Sequence, residues 1–199
     1  MKNIYKILFL LSYATLYAQP GSAVVIPCNP VIIPLRTYTE IPKDQCYYMK
    51  DTNDELNDYK GTWSATWNNK TFHITFKKIT NQYDSHFKYN KDLLIAKFKV
   101  VNSNGGIVFD NTTISDNNAK IKGGKFVKDK NEYSFSYFDN ELCRTRGYIT
   151  IKLTDQTKTQ MQWRYIPSRV TIFPDCFFYD YAVSQYPDPI PKNIILSKQ

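Results

Sequence analysis

From residue 62 onward, apolar and polar side chains alternate with a period of two, the repeat of a strand that buries one face and wets the other. Eight such segments occur, at 62–67, 71–79, 93–102, 107–113, 119–128, 132–138, 146–153 and 159–166. Between them lie the turn-forming runs "NN", "NSNGG", "SDNN", "DKN" and "TDQTK", short enough to make sequence neighbours antiparallel neighbours in space. A sheet of that many antiparallel strands keeps two exposed edges unless it closes on itself. The pattern therefore predicts an all-β fold, an eight-stranded antiparallel up-and-down β-barrel.

Parity along the strands assigns the interior. Trp63, Ala65 and Trp67 share one face, as do Phe72, Ile74 and Phe76, then Leu94, Ala96, Phe98 and Val100, then Tyr133, Phe135 and Tyr137, then Met161, Trp163 and Tyr165. Such rows either fill a barrel of this size or line a cavity in it. The cavity alternative defines a ligand site at the barrel mouth built from Trp67, Phe72, Phe98, Phe135 and Trp163, with the hydroxyls of Tyr133 and Tyr165 placed to orient a polar head. Trp63 is assigned to the closed end, as structure.

The segments before the barrel read differently. Residues 1–18 place Lys2 and Lys6 ahead of the short apolar run Ile7–Leu11 and end on Ala18, the order of a secretory signal peptide, too short to span a bilayer. Residues 19–50 are proline-rich and form an extended arm, because proline cannot donate to a central ladder. The run "DTNDELNDY" supplies caps for a single helical turn. Residues 51–199 then make one barrel domain with a C-terminal tail.

Composition narrows the chemistry. The four cysteines are even in number and contain no C-x-x-C pair, which in an exported chain points to disulfides, and no metal or other cofactor is expected with only His73 and His86 as imidazoles. Of the three possible connectivities, Cys28–Cys46 with Cys143–Cys176 is expected, because each bond closes a local loop around a terminal segment. The formal charge is +8, yet its lysines are spread through strand-like segments such as "KFKV" and "KIKGGKFVKDK" and not gathered in a stripe, so no nucleic-acid partner is expected. No second apolar segment has the length of a membrane helix. Neither G-x-S-x-G nor H-E-x-x-H occurs, and His86 beside Asp84 lacks a nucleophile, so the chain is expected not to be an enzyme.

The opening Gly61-Thr62-Trp63 after a helical turn resembles the first strand of lipocalin-type barrels. That resemblance implies an arginine near the last strand packed over the tryptophan, for which Arg164 is the positional candidate. Arg164 has the opposite parity to Met161, Trp163 and Tyr165, so it and they cannot all face inward. Across the whole chain, "IPLRTYTEIP", "YMKDTNDELNDYKGTW", "ELC", "QWRYIPS" and "IILSKQ" resemble a family of short exported flavobacterial (Bacteroidota) proteins of unknown function. This implies an exported β domain, periplasmic or extracellular, and carries over no activity. The expected function is lipocalin-like, non-catalytic binding of a small hydrophobic or amphipathic ligand. The alternative is a solid-core envelope or secreted protein-interaction module without such a ligand. Oligomeric state stays open.

Overall fold

The structure, a computed structural model, describes residues 29–41, 46–168, 172–182, 185–186 and 188–199. Its strands are β1 (Val31–Pro34), β2 (Tyr47–Lys50), β3 (Gly61–Trp67), β4 (Lys70–Asp84), β5 (Tyr89–Asn102), β6 (Ile107–Asp110), β7 (Ile121–Phe126), β8 (Tyr133–Asp139), β9 (Thr145–Leu153), β10 (Gln160–Pro167) and β11 (Asn193–Lys198). Strands β3, β4, β5, β7, β8, β9, β10 and β11 pair in that order, and β11 returns to β3. The result is a closed, antiparallel, eight-stranded barrel.

Its eighth member is not the one the alternation indicates. The 107–113 segment forms only β6, a spur on β5 that leaves Ile107 and Val108 exposed and packs just the half-buried Phe109 against the core. The ring is closed by β11, from the region read as tail, which buries Leu196 in the core and half-buries Ile194. Its seam with β3 is narrow, Ser197 opposite Ser64 and Lys198 opposite Trp63.

Local chemistry sets the turns and the closed end. Asn68 and Asn69 both have positive φ, 48° and 56°, the backbone of a tight hairpin whose twist matches its strands. A 3₁₀ turn, Glu55–Tyr59, forms where the Asp51 carboxylate accepts the N–H groups of Glu55 and Leu56, each at 2.9 Å. It buries Leu56 and Tyr59 under the barrel, and the Trp63 indole donates to the Tyr59 carbonyl at 2.9 Å. Arg164 takes no part in this end: it alternates with buried Trp163 and Tyr165 and points to solvent. The cation beside Trp63 is Lys198, its ammonium 5.3 Å from the ring centroid.

The arm is more than a strap. Strands β1 and β2 pair in parallel and extend the sheet beside β5. Arg36 grips Glu55 through two nitrogens, at 2.9 and 2.6 Å, and lies 3.9 Å from the Phe126 ring. Tyr48 donates to the buried Asp92 carboxylate at 2.6 Å, and Asp92 also accepts the N–H groups of Asp51 and Asn81 at 3.0 Å. Cys28, the expected partner of Cys46, and the signal segment 1–18 lie outside the described residues.

Buried and half-buried tyrosines give the fold a pH limit. Burial raises the phenols of Tyr59 and Tyr165 to about 12, burial and the Asp92 contact raise Tyr48 to about 12, and burial raises Tyr133 and Tyr137 as well. An ordinary tyrosine titrates near about 10. The stability these phenols supply is therefore complete below pH of about 10 and is lost as pH rises through about 12. Alkaline titration is expected to show tyrosinate absorbance in two phases, the later one coincident with loss of near-UV circular dichroism; a single phase with the fold intact would contradict this.

Candidate functional site

The rings expected at a barrel mouth are brought together, but as packing. Phe72 meets Trp163 at 5.5 Å and Phe98 at 5.7 Å between centroids, and Phe135 meets Tyr133 at 5.1 Å and Phe76 at 5.5 Å, all within the range of favourable ring pairs. Tyr165 joins the same array through Tyr137 at 5.8 Å. The two hydroxyls are already engaged, Tyr133 accepting the Leu94 N–H and Tyr165 donating to the Arg146 carbonyl, both at 3.4 Å. Trp67 stands apart, half-buried at the β3–β4 turn with the Lys70 ammonium 5.1 Å from its ring. The expected ligand residues other than Trp67, namely Phe72, Phe98, Phe135, Trp163, Tyr133 and Tyr165, are buried against one another, and none of these six is open to a ligand.

A recess lies on the outside. Strands β4 and β5 run beyond the barrel as a hairpin, and a register shift between Ile79 and Gln82 bends it, as bulges do. The bend leaves a groove of about 610 Å³ between the hairpin and β7–β8. One wall is apolar: Ile79, Leu93 and Ile95 line it, and Leu93 and Ile95 form a small second core with Ala119 on the face of β5 opposite Leu94 and Ala96. Tyr83 and Phe87 stand exposed at the hairpin side. Sequence parity missed this wall because it counts one buried face per strand. The signal for it is the unbroken apolar run Leu93–Ala96, which marks a strand covered on both sides.

Electrostatics single out one cation in the groove. Asp84 pairs with Lys91 at 3.0 Å, and Asp116 pairs with Lys77 at 2.6 Å and Lys97 at 2.8 Å. Burial would raise the Asp84 carboxyl, but the Lys91 ammonium and the N–H groups of Phe87 and His86 outweigh it and hold the group below the ordinary carboxylate range. Asp84 thus organises the hairpin turn, and its neighbour His86 is an exposed turn residue. Lys122 differs: its ammonium donates to the Asn117 carbonyl at 2.8 Å and has no carboxylate partner among the described residues.

Compared with known proteins, the chain matches one family over residues 1–199. It belongs to the family of unknown function DUF6705. No curated protein and no solved structure matches the chain.

A second feature of this DUF6705 chain is a lobe between β10 and β11. The disulfide Cys143–Cys176, the expected pair, ties the lobe to the β8–β9 turn with the Cα atoms 5.3 Å apart. Its rings pack on each other, Phe177 on Phe178 at 5.1 Å and on Tyr181 at 5.6 Å, Phe178 on Tyr186 at 6.4 Å. Phe173, Phe177, Tyr179 and Tyr181 are exposed. Arg144 braces the base, 4.9 Å from the Phe173 ring and 3.1 Å from Asp175.

Proposed function

We propose that the protein is an exported, non-catalytic binding protein that holds a small amphipathic ligand in the groove beside the β4–β5 hairpin. The observation that carries this reading is the groove itself, about 610 Å³, beside a barrel filled by its own rings. That volume lies within the roughly 300–1,000 Å³ of small-molecule sites. An apolar body rests against Ile79, Leu93 and Ile95, and an anionic head meets Lys122, the groove lysine that has no carboxylate partner among the described residues. The Cys143–Cys176 disulfide supports export, since such bonds persist in oxidising compartments. N-terminal sequencing of protein from its host should begin at Gln19; a chain retaining Met1 would sink the export reading.

Calorimetric titration with dodecanoate tests the site. Saturable binding is expected, weakened about tenfold, or about 1.4 kcal/mol, by Lys122→Gln. Ser136→Trp, which fills the groove from the outer face of β8, should abolish it. No saturation up to about 1 mM, near −4 kcal/mol, would remove the small-ligand reading. The exposed rings of the disulfide-tied lobe favour a second reading, a solid-core envelope or secreted protein-interaction module with no small-molecule ligand.

A further inference from the structure

The chain carries a complement to its own groove. From Ile172 to Pro191 the sequence holds Asp175, Asp180 and Asp188 and no lysine, arginine or histidine, on a chain of formal charge +8. In this lobe Phe177 is 76% exposed, with its ring against Phe178 and Tyr181. Asp175 is engaged by Arg144, whereas the exposed Asp180 makes no ion pair among the described residues. The lobe is therefore an aromatic knob bearing a free carboxylate. The groove presents the reverse, an apolar wall and a lysine without a carboxylate partner among the described residues, its Asp84 and Asp116 being paired with other lysines.

We propose that the knob of one molecule seats in the groove of a second copy of this chain, the Phe177 and Tyr181 rings against Leu93 and Ile95 and Asp180 opposite Lys122. Opposite charge steers such an encounter, and desolvated aromatic anchors hold it. Knob and groove are different patches, so the contact is heterologous and builds rings or open chains of molecules. The inference rests on the groove being a binding site. It goes beyond the small-ligand reading because the same chemistry, an apolar body with a carboxylate, is supplied by the protein.

Sedimentation velocity of the full chain, purified without reducing agent, tests it. The weight-average mass is expected to rise with concentration between about 10 µM and 1 mM, and Phe177→Ser and Ser136→Trp should each leave a monomer. Mixed in equal amounts, these two variants should form a one-to-one dimer, because Phe177→Ser keeps its groove and Ser136→Trp keeps its knob. Both side chains are exposed, so thermal melts matching the parent will separate loss of contact from loss of fold. Where a melt does not match, the charge swaps Asp180→Lys and Lys122→Asp replace the pair, each weakening association at least tenfold and restoring it when mixed. A monomer up to about 1 mM, association that survives the single substitutions, or mixtures that stay monomeric would overturn the proposal. Dodecanoate binding by a strict monomer rejects this inference and keeps the small-ligand reading; self-association without dodecanoate binding does the opposite.

Discussion

Replacing Trp163 by alanine is expected to lower the free energy of unfolding by about 3 to 5 kcal/mol, the usual cost of removing a large ring from a filled core. The indole is fully buried, touches Phe72 at 5.5 Å and donates to the Pro191 carbonyl at 2.7 Å. The substitution leaves a cavity and an unpaired carbonyl together, and both terms have the same sign. Arg164→Ala, one residue on, should change stability by less than about 0.5 kcal/mol, because that side chain points to solvent. Denaturant unfolding of the two variants reads the barrel's parity directly. A Trp163 variant as stable as the parent would mean that the indole lines an open space, and would restore the interior ligand site.

Ending the chain after Lys192 is expected to abolish the native barrel. The cut removes β11, and with it the pairing to β10 from Gln160 to Arg164, the seam to β3, and the fully buried Leu196. Burial of Leu196 and part of Ile194 stabilises the fold by roughly 2 to 4 kcal/mol. A domain of ordinary size has only about 5 to 15 kcal/mol in total. Two freed edges, on β3 and β10, then invite aggregation. Poor soluble yield and collapsed amide dispersion in the NMR spectrum should follow. A truncated protein with the dispersion of the parent would show that the ring does not depend on β11.

The barrel was legible wherever one face of a strand is wet. Strands β3 and β10 alternate in sequence, as β8 does up to Tyr137, and their inward residues Trp63, Phe135 and Trp163 reach the core as parity requires. Legibility failed where a second surface covers the strand or where the pattern is too short. Strand β5 carries apolar residues on both faces, so its outer wall and the groove were invisible to a rule of one buried face. Strand β11 reads "NIILSK", three apolar residues in a row after a proline-rich stretch, which hides its alternation. The aromatic rows of the interior reach the core apart from Trp67, but periodicity carries no information on whether facing rings touch. Ring distances of 5.0 to 6.3 Å do carry it. Lys198, which lies beside Trp63, belongs to the same unrecognised strand, so the arginine that the lipocalin resemblance implies near the last strand falls on Arg164 of β10 instead.

Where a ligand sits is the central question, and contact quenching by a brominated fatty acid answers it. Trp63 and Trp163 are buried in the barrel and Trp67 lies at the β3–β4 turn, so none of the three tryptophans lines the groove. Tyr83, Phe87, Leu93 and Ile95 do line it. Titration of the isotope-labelled protein with brominated dodecanoate should shift the amide signals of those four residues in a saturable way while tryptophan emission stays unchanged. Loss of tryptophan emission in step with binding, with the groove signals unmoved, would place the ligand inside the barrel and contradict the account.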